Sequence, residues 1–254
     1  MSHYAKKYLG QHFLIKKSIS EKIVQSLELK YVKNVIEIGP GKGALTDFLT
    51  TKTDQLTVIE IDIDCIKILE KKFQNIKIIY GDFLTFDLAK IEYPYYSIIG
   101  NFPYNISTQI LFKVLENRNS INQLVGMFQK EVAERICSNP NSKKYGILSV
   151  LLQAYFSCNL LFDVAPENFQ PKPKVYSSVI KLSRNKTEEL ECDHNSFVTI
   201  VKTGFSQRRK KLKNALKKII TLENANKNIL MDKRAEDLSV GDFIELTNLI
   251  FPKS

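Results

Sequence analysis

Four short runs of Ile and Val, three of them closing on a glycine or an asparagine, leave this chain few ways to fold. They are "NVIEIG" (Asn34–Gly39), "LTVIEI" (Leu56–Ile61), "IKIIYG" (Ile76–Gly81) and "YSIIGN" (Tyr96–Asn101). Runs that are apolar at nearly every position read as strands covered on both faces. Between them the apolar spacing turns helical, over Ala44–Thr51, Asp64–Phe73 and Ser107–Glu116. Strand and helix in alternation imply parallel βαβ units, so the expected fold is α/β, a doubly wound and mostly parallel sheet of Rossmann-like type. "QLVGMFQ" (Gln123–Gln129) adds a fifth strand, followed by a helix from Lys130 to Cys137. "LQAYFSCNLLF" and "KVYSSVIKL" complete seven strands as a late antiparallel pair. Ser18-Ile19-Ser20-Glu21 has the form of a capping box, opening a helix that runs to Leu29.

The polar stretch Ser183–Ser196 breaks this pattern and places a domain boundary, giving 1–184 and 185–254. Beyond it the period is helical: one helix over Phe197–Ile220, a short middle helix, then Ser239–Asp242 as the cap of "FIELTNLIF". The formal charge is +10 over 254 residues, which favours a polyanionic partner. Between Lys202 and Lys218 there are eight Lys or Arg and no acid. No run of 18 apolar residues occurs, so no membrane span is expected, and Met1–Lys7 lacks the apolar core of a secretory signal. Cys65, Cys137, Cys158 and Cys192 are too dispersed for a zinc or redox motif. A cytoplasmic protein without a metal is the reading these features support.

"EIGPGKGA" (Glu37–Ala44) follows the first strand and opens a helix. Glycines at 39, 41 and 43 let the backbone approach a ligand closely, and the stretch also fits the dinucleotide fingerprint, with Glu60 about twenty residues on for ribose hydroxyls. The loop alone therefore indicates a nucleoside cofactor without saying which. Glu37, inside the strand end, suits a ligand's ammonium and would repel a pyrophosphate. Asp82, at the end of the third strand, is placed to accept from an adenine amine, with Phe83 beside it to pack on the ring. Together with Asn101-Phe102-Pro103-Tyr104 after the fourth strand, these residues describe an S-adenosylmethionine site better than a nicotinamide site.

The Asn-Phe-Pro-Tyr corner carries the chemistry. The exocyclic amine of a base is a weak nucleophile because its lone pair is drawn into the ring. Accepting both N–H bonds localises that pair on nitrogen. The Asn101 oxygen is one acceptor and the Pro103 carbonyl the other, its direction restricted by the proline ring. Tyr104 offers a face for a flipped base, and Phe102 is a second candidate surface. The amine then attacks the sulfonium methyl, with positioning and hydrogen-bond acceptance carrying the rate and no metal or covalent intermediate required.

Taken together, these stretches closely resemble the bacterial small-subunit ribosomal RNA adenine dimethyltransferases, over nearly the whole chain. "YLGQHFLIKKSISEKIV" (Tyr8–Val24) looks like that family's N-terminal cofactor motif. The resemblance implies cofactor contacts from Gln11, His12 and Leu14, where many members have Asn in place of His12. Gly39, Glu60, Asp82 and Asn101 match the family's remaining cofactor positions, and Glu37, Gly41, Gly43, Ile61 and Phe83 complete the candidate cofactor-binding set. "NFQPKPKVYSSVIKL" resembles the substrate-side loop and last strand, and "FSQRRKKLKNAL" with "RAEDLSVGDFIEL" resembles the C-terminal domain. Phe102 departs from the family's usual Leu, which touches base-pocket shape rather than chemistry. The fold implied is a class I methyltransferase. The implied activity is transfer of four methyls to two adjacent adenines in the 3′-terminal hairpin of 16S rRNA, within the immature 30S subunit, by a monomer.

A helical plot of "SQRRKKLKNALKKII" sets Leu212, Ala215, Leu216 and Ile219 on one stripe with Val201 and Phe205. Arg209, Lys210, Lys213 and Lys217 fall opposite, and with Arg208 and Lys211 they form the candidate RNA-binding set. Arg208 falls within the apolar stripe, so it should meet a carboxylate or backbone carbonyls, or the helix should begin after it. Two other readings share the main motifs. One is an erythromycin-resistance-type 23S rRNA methyltransferase. The other is a non-catalytic assembly or transcription factor on the same fold, disfavoured by the intact cofactor set. A nicotinamide dehydrogenase is disfavoured because no hydride-handling group is evident.

Overall fold

The computed structural model describes residues 5–30, 32–220 and 228–252. Its contacts divide them into two compact units: residues up to 133 with 159–184, and 134–158 with 185 onward. The sequence suggested a single boundary, after 184; the second unit also takes in 134–158.

In chain order the elements are β1 (Phe13–Leu14), α1 (Lys17–Gln25), β2 (Val35–Ile38), α2 (Thr46–Leu49), β3 (Leu56–Glu60), α3 (Ile63–Lys72), β4 (Lys77–Tyr80), β5 (Tyr96–Asn101), α4 (Ser107–Glu116), β6 (Ile121–Gln129) and α5 (Lys130–Ile136). They are followed by α6 (Ile147–Gln153), β7 (Phe156–Val164), β8 (Phe169–Gln170), β9 (Ser177–Arg184), α7 (His194–Ser206), α8 (Leu212–Ala215) and α9 (Val240–Ile250). The main sheet has seven strands in the order β4-β3-β2-β5-β6-β9-β7. The first five are parallel neighbours, and β9 runs antiparallel to β6. β2, β3 and β5 are buried along their lengths apart from Asn101, as their unbroken Ile and Val content requires. β4 departs from that expectation. It is the edge strand, its two outer residues are exposed, and Tyr80 keeps 68% of its surface.

α4 buries Ile110, Leu111, Val114 and Leu115 at helical spacing, each contributing about 1.5–3 kcal/mol relative to exposure. α1 starts one residue before the expected box, at Lys17, and its N-cap Lys16 makes no side-chain cap bond. Ser20 is buried instead, and the helix ends at Gln25, short of Leu29. β1 and β8 form a separate antiparallel pair that the sequence reading did not anticipate.

In the second unit, α7 is capped by Asp193, which accepts from the Ser196 amide, and α9 by Ser239, which accepts from the Asp242 amide as expected. The single helix over Phe197–Ile220 does not form. The chain leaves α7 at Gln207, where φ is −126° and ψ 51°, and re-enters a short helix at Leu212. Lys211 makes a β-bridge to Arg234, and the Leu212 amide donates to the Lys233 carbonyl at 2.8 Å. This strand-like pairing takes the backbone out of the helix. The expected middle helix falls partly on 221–227, outside the described residues; Ile229–Asp232 forms a short 3-10 helix. No described helix is long and apolar enough to cross a membrane.

Candidate active site

The strand order reverses direction between β2 and β5. The chain winds outward through β3 and β4 on one side, then through β6 on the other. A crevice opens beyond the strand ends at such a switch point. Glu37 pairs in register with Ile99, so two residues later the neighbouring strands give out at Gly39 and Asn101. A cavity of about 710 Å³ lies there, wholly within the first unit. Gln11, His12, Leu14, Glu37, Gly39, Gly41, Glu60, Ile61, Asp82, Phe83, Asn101, Pro103 and Tyr104 all line it. Gly43 does not: a Cβ there would stand 2.7 Å from the Phe73 ring, so this glycine serves helix packing.

Gly39 has φ of 64°, a region costly to any residue with a Cβ. A Cβ built on it meets nothing within 4 Å. Strained backbone facing open space is what a closely approaching ligand needs, and it is the observation on which the loop fits a nucleoside cofactor. Glu37 is 1% exposed and accepts from the Thr46 hydroxyl at 2.6 Å. Burial pushes its carboxyl up to about 8. Glu60 accepts from the amides of Gly41, Ile61 and Asp62, each at 2.9 Å. Burial raises it in spite of those donors. A carboxylate offers about four lone-pair sites, so Glu60 shapes the glycine loop with three of them and keeps one for a ribose hydroxyl. Asp82 accepts from the Leu84 amide at 2.8 Å, and Phe83 is 3% exposed.

At the corner, the Asn101 side-chain nitrogen donates to the His12 carbonyl at 2.8 Å. Its oxygen is thereby left as the free end of the amide. The Pro103 carbonyl accepts from the Ile106 amide at 3.2 Å and keeps a second lone pair. The Tyr104 hydroxyl is hydrogen-bonded to Ser177 at 2.6 Å, and burial raises its pKa. Its ring stacks with His12, the centroids 5.6 Å apart. Phe102, expected as a second stacking surface, is instead 1% exposed. It meets Phe128 edge-on at 5.2 Å and lies over Gly100 and Gly126, where a Cβ would come within 2.4 and 2.2 Å of the ring. The larger ring is accommodated in the core, and the residue borders the cavity only from beneath its surface.

The N-terminal arm that carries Gln11, His12 and Leu14 is tied down twice. Lys6 donates to Asp62 at 2.5 Å and Asp64 at 2.7 Å, and Gln11 donates to Asp62 at 2.7 Å. Burial works to raise the Asp62 carboxyl, but the Lys6 and Gln11 hydrogen bonds outweigh it and hold the group at about 2. Farther on, β1 pairs with β8 and His12 Nδ1 donates to the Pro171 carbonyl at 2.7 Å. Ser177 and Thr46, which hold Tyr104 and Glu37, carried no signal of those roles beyond lying near the motifs.

In the second unit, Arg208 meets both kinds of partner expected of it: the Glu236 carboxylate at 2.5 Å and the Ser142 carbonyl at 3.0 Å. Lys211 and Lys213 share Asp232 at 3.0 and 2.8 Å. Arg209, Lys210 and Lys217 are exposed and form no salt bridge among the described residues. The basic set is therefore a loop and a short helix, and only part of it is free to meet a phosphate.

The family model described as ribosomal RNA adenine dimethylase matches residues 2–251. The chain is 50% identical over 254 residues to the ribosomal RNA small subunit methyltransferase A of Cytophaga hutchinsonii, covering 98% of each. It is 48% identical to that of Flavobacterium johnsoniae, covering 97% of this chain and 95% of the relative. A crystal structure of a dimethyladenosine transferase from Plasmodium falciparum superposes with a TM-score of 0.80 at 25% identity, over 92% of this chain and 96% of the other.

Proposed function

The chain belongs to the ribosomal RNA adenine dimethylase family, and we propose that it dimethylates the N6 amines of two adjacent adenines in the 3′-terminal hairpin of 16S rRNA. It is an rRNA methyltransferase; the small-subunit substrate is carried over from the names of relatives that are about half identical. The working context is the immature 30S subunit in the cytoplasm, and the enzyme acts as a monomer. S-adenosylmethionine supplies an electrophilic methyl group when bound. The residues suited to hold it are Gln11, His12, Leu14, Glu37, Gly39, Gly41, Glu60, Ile61, Asp82 and Phe83, which share one cavity, with Gly43 behind the loop. Glu37 offers a buried carboxylate to an ammonium, and Asp82 offers an acceptor to an adenine amine.

On the base side, the Asn101 oxygen and the Pro103 carbonyl accept the two amine hydrogens and concentrate the nitrogen lone pair. Tyr104, fixed by Ser177, gives the base a face to lie on. The observation that carries this reading is the Asn101 nitrogen held by the His12 carbonyl, which fixes which end of the amide is the acceptor. Arg209, Lys210 and Lys217 are the basic residues with charge to spare for RNA phosphates, and Arg208, Lys211 and Lys213 shape the loop that presents them.

Radiolabelled methyl transfer to immature small subunits, followed by mapping of the modified nucleotides, tests the proposal. Label at two neighbouring adenines near the 16S 3′ end is expected. Label on naked 23S rRNA alone would favour the erythromycin-resistance-type reading. Normal subunit assembly by an inactive Asn101→Ala chain would favour a binding factor.

A further inference from the structure

Lys113 lies on α4, six residues beyond its first residue Ser107, in a position that no motif points to. Its ammonium donates to the Leu84 carbonyl at 2.9 Å and to the Phe86 carbonyl, and it stands 5.3 Å from the centroid of the Phe83 ring. The loop it grips is wound around Asp82. The Asp82 side chain takes the Leu84 amide, and its carbonyl takes the amides of Thr85 and Phe86 at 3.1 and 2.9 Å. With those amides already engaged, the outward carbonyls of the loop need a separate donor. An ammonium, with three donors and no acceptor, supplies it.

The other end of α4 grows directly out of the Asn101–Tyr104 corner. The Ile106 amide donates to the Pro103 carbonyl at 3.2 Å, and the Ser107 hydroxyl to the Tyr104 carbonyl at 3.1 Å. Between these ends the helix is packed through Ile110, Leu111 and Val114, all fully buried, so it moves as a rigid body. We infer that Lys113 is a positioning residue: anchored in α4, it holds the Asp82–Phe83 loop in the shape that receives the cofactor. The inference rests on the cofactor reading proposed above. Burial lowers the Lys113 pKa, and a cation held in a half-buried place against that penalty is retained by the carbonyls it satisfies.

Equilibrium dialysis of S-adenosylmethionine, together with steady-state methyl transfer on immature small subunits, tests this in the full-length chain with Lys113→Met, Lys113→Arg and Lys113→Gln. The Met variant is expected to raise both the cofactor Kd and the cofactor KM about tenfold. Its kcat at saturating cofactor and its KM for the particle stay within about twofold of the parent. The Arg variant recovers most of the loss, because it again offers charged donors to two carbonyls. A purely structural lysine would instead lower the active fraction, and hence kcat, without moving Kd. A Met variant that melts with the parent and binds cofactor as tightly overturns the inference. Should Met fail to fold, the Gln variant, which keeps a donor, is held to the same criterion with an intermediate rise expected. A parent chain that binds no S-adenosylmethionine overturns the cofactor reading, and this inference with it.

Discussion

Asn101 and His12 stand 89 positions apart in the chain and are joined by one hydrogen bond, from the Asn101 amide nitrogen to the His12 main-chain carbonyl at 2.8 Å. Because the acceptor is backbone, this bond depends on the path of the N-terminal arm and not on the imidazole. The Asn101 amide oxygen is thus oriented by a segment from outside the main sheet.

Asn101→Ala removes an amine acceptor and leaves the His12 carbonyl without its donor. Single-turnover methyl transfer is expected to slow by a factor of about a hundred or more. Asn101→Asp restores an oxygen but sets a carboxylate against the His12 carbonyl, so it should not rescue. Turnover at the parent rate in the Ala variant would remove the corner from the chemistry.

The Glu37 carboxyl sits at about 8 in the folded chain because of burial, against about 4.3 when unfolded. A raised carboxyl contributes stability that is complete below the unfolded value and is lost as pH climbs through about 8. The parent should therefore lose Tm relative to Glu37→Gln as pH rises from about 4.3 to about 8, and change little beyond that. A bound ammonium favours the ionised form, so cofactor binding should expel a proton and tighten over the same interval. Calorimetry in two buffers of different ionisation enthalpy reads that proton; identical heats in both would refute the link.

Asp62 behaves in the opposite sense. Its carboxyl is held at about 2 by Lys6 and Gln11 in spite of burial. The stability it provides is complete above the unfolded value near 3.9 and disappears as pH falls through about 2. Lys6→Met should move the acid-unfolding midpoint to higher pH and loosen the arm. Faster hydrogen exchange at residues 6–12, with the sheet unaffected, is the companion measurement.

Gly126→Ala would set a methyl 2.2 Å from the Phe102 ring. Overpacking of this kind costs about 1–3 kcal/mol. Combining it with Phe102→Leu should return much of that loss, a non-additivity that a double-mutant cycle on urea midpoints would detect. Strict additivity would mean that the ring moves aside freely.

Charge reversal at Arg209 and Lys210 tests the RNA face better than reversal at Lys213, because Lys213 is already engaged with Asp232. Arg209→Glu with Lys210→Glu should weaken binding of the particle and reduce the slope of log K against log salt by about 1.5. Cofactor affinity should be unaffected. An unaltered slope would move the phosphate contacts elsewhere.

The parallel strands and the cavity acids were legible because both follow local rules: Ile and Val runs end where the sheet ends, and ligands gather at a switch point. Other features depended on distant partners. "ILSVLLQ" is a helix buried on nearly every side, and a short apolar run does not reveal its own period. The break after Gln207 contains neither glycine nor proline; it follows from Lys211 pairing with Arg234, a tertiary effect that overrides helical spacing. Phe102 looked like a stacking surface until Gly100 and Gly126 opened a hollow for it. Lys113 belongs to no motif, since its partners are main-chain carbonyls that any sequence would supply.

The pairing of β1 with β8, and the contact between His12 and Pro171 across 159 positions, has a bearing on biogenesis. During synthesis the arm leaves the ribosome first, yet its docking partner is made some 160 codons later. The cavity lined by the arm and the strand ends therefore cannot be completed on a partly made chain. Closing so long a loop is entropically slow, so activity should appear late, after the sheet has already resisted digestion for some time.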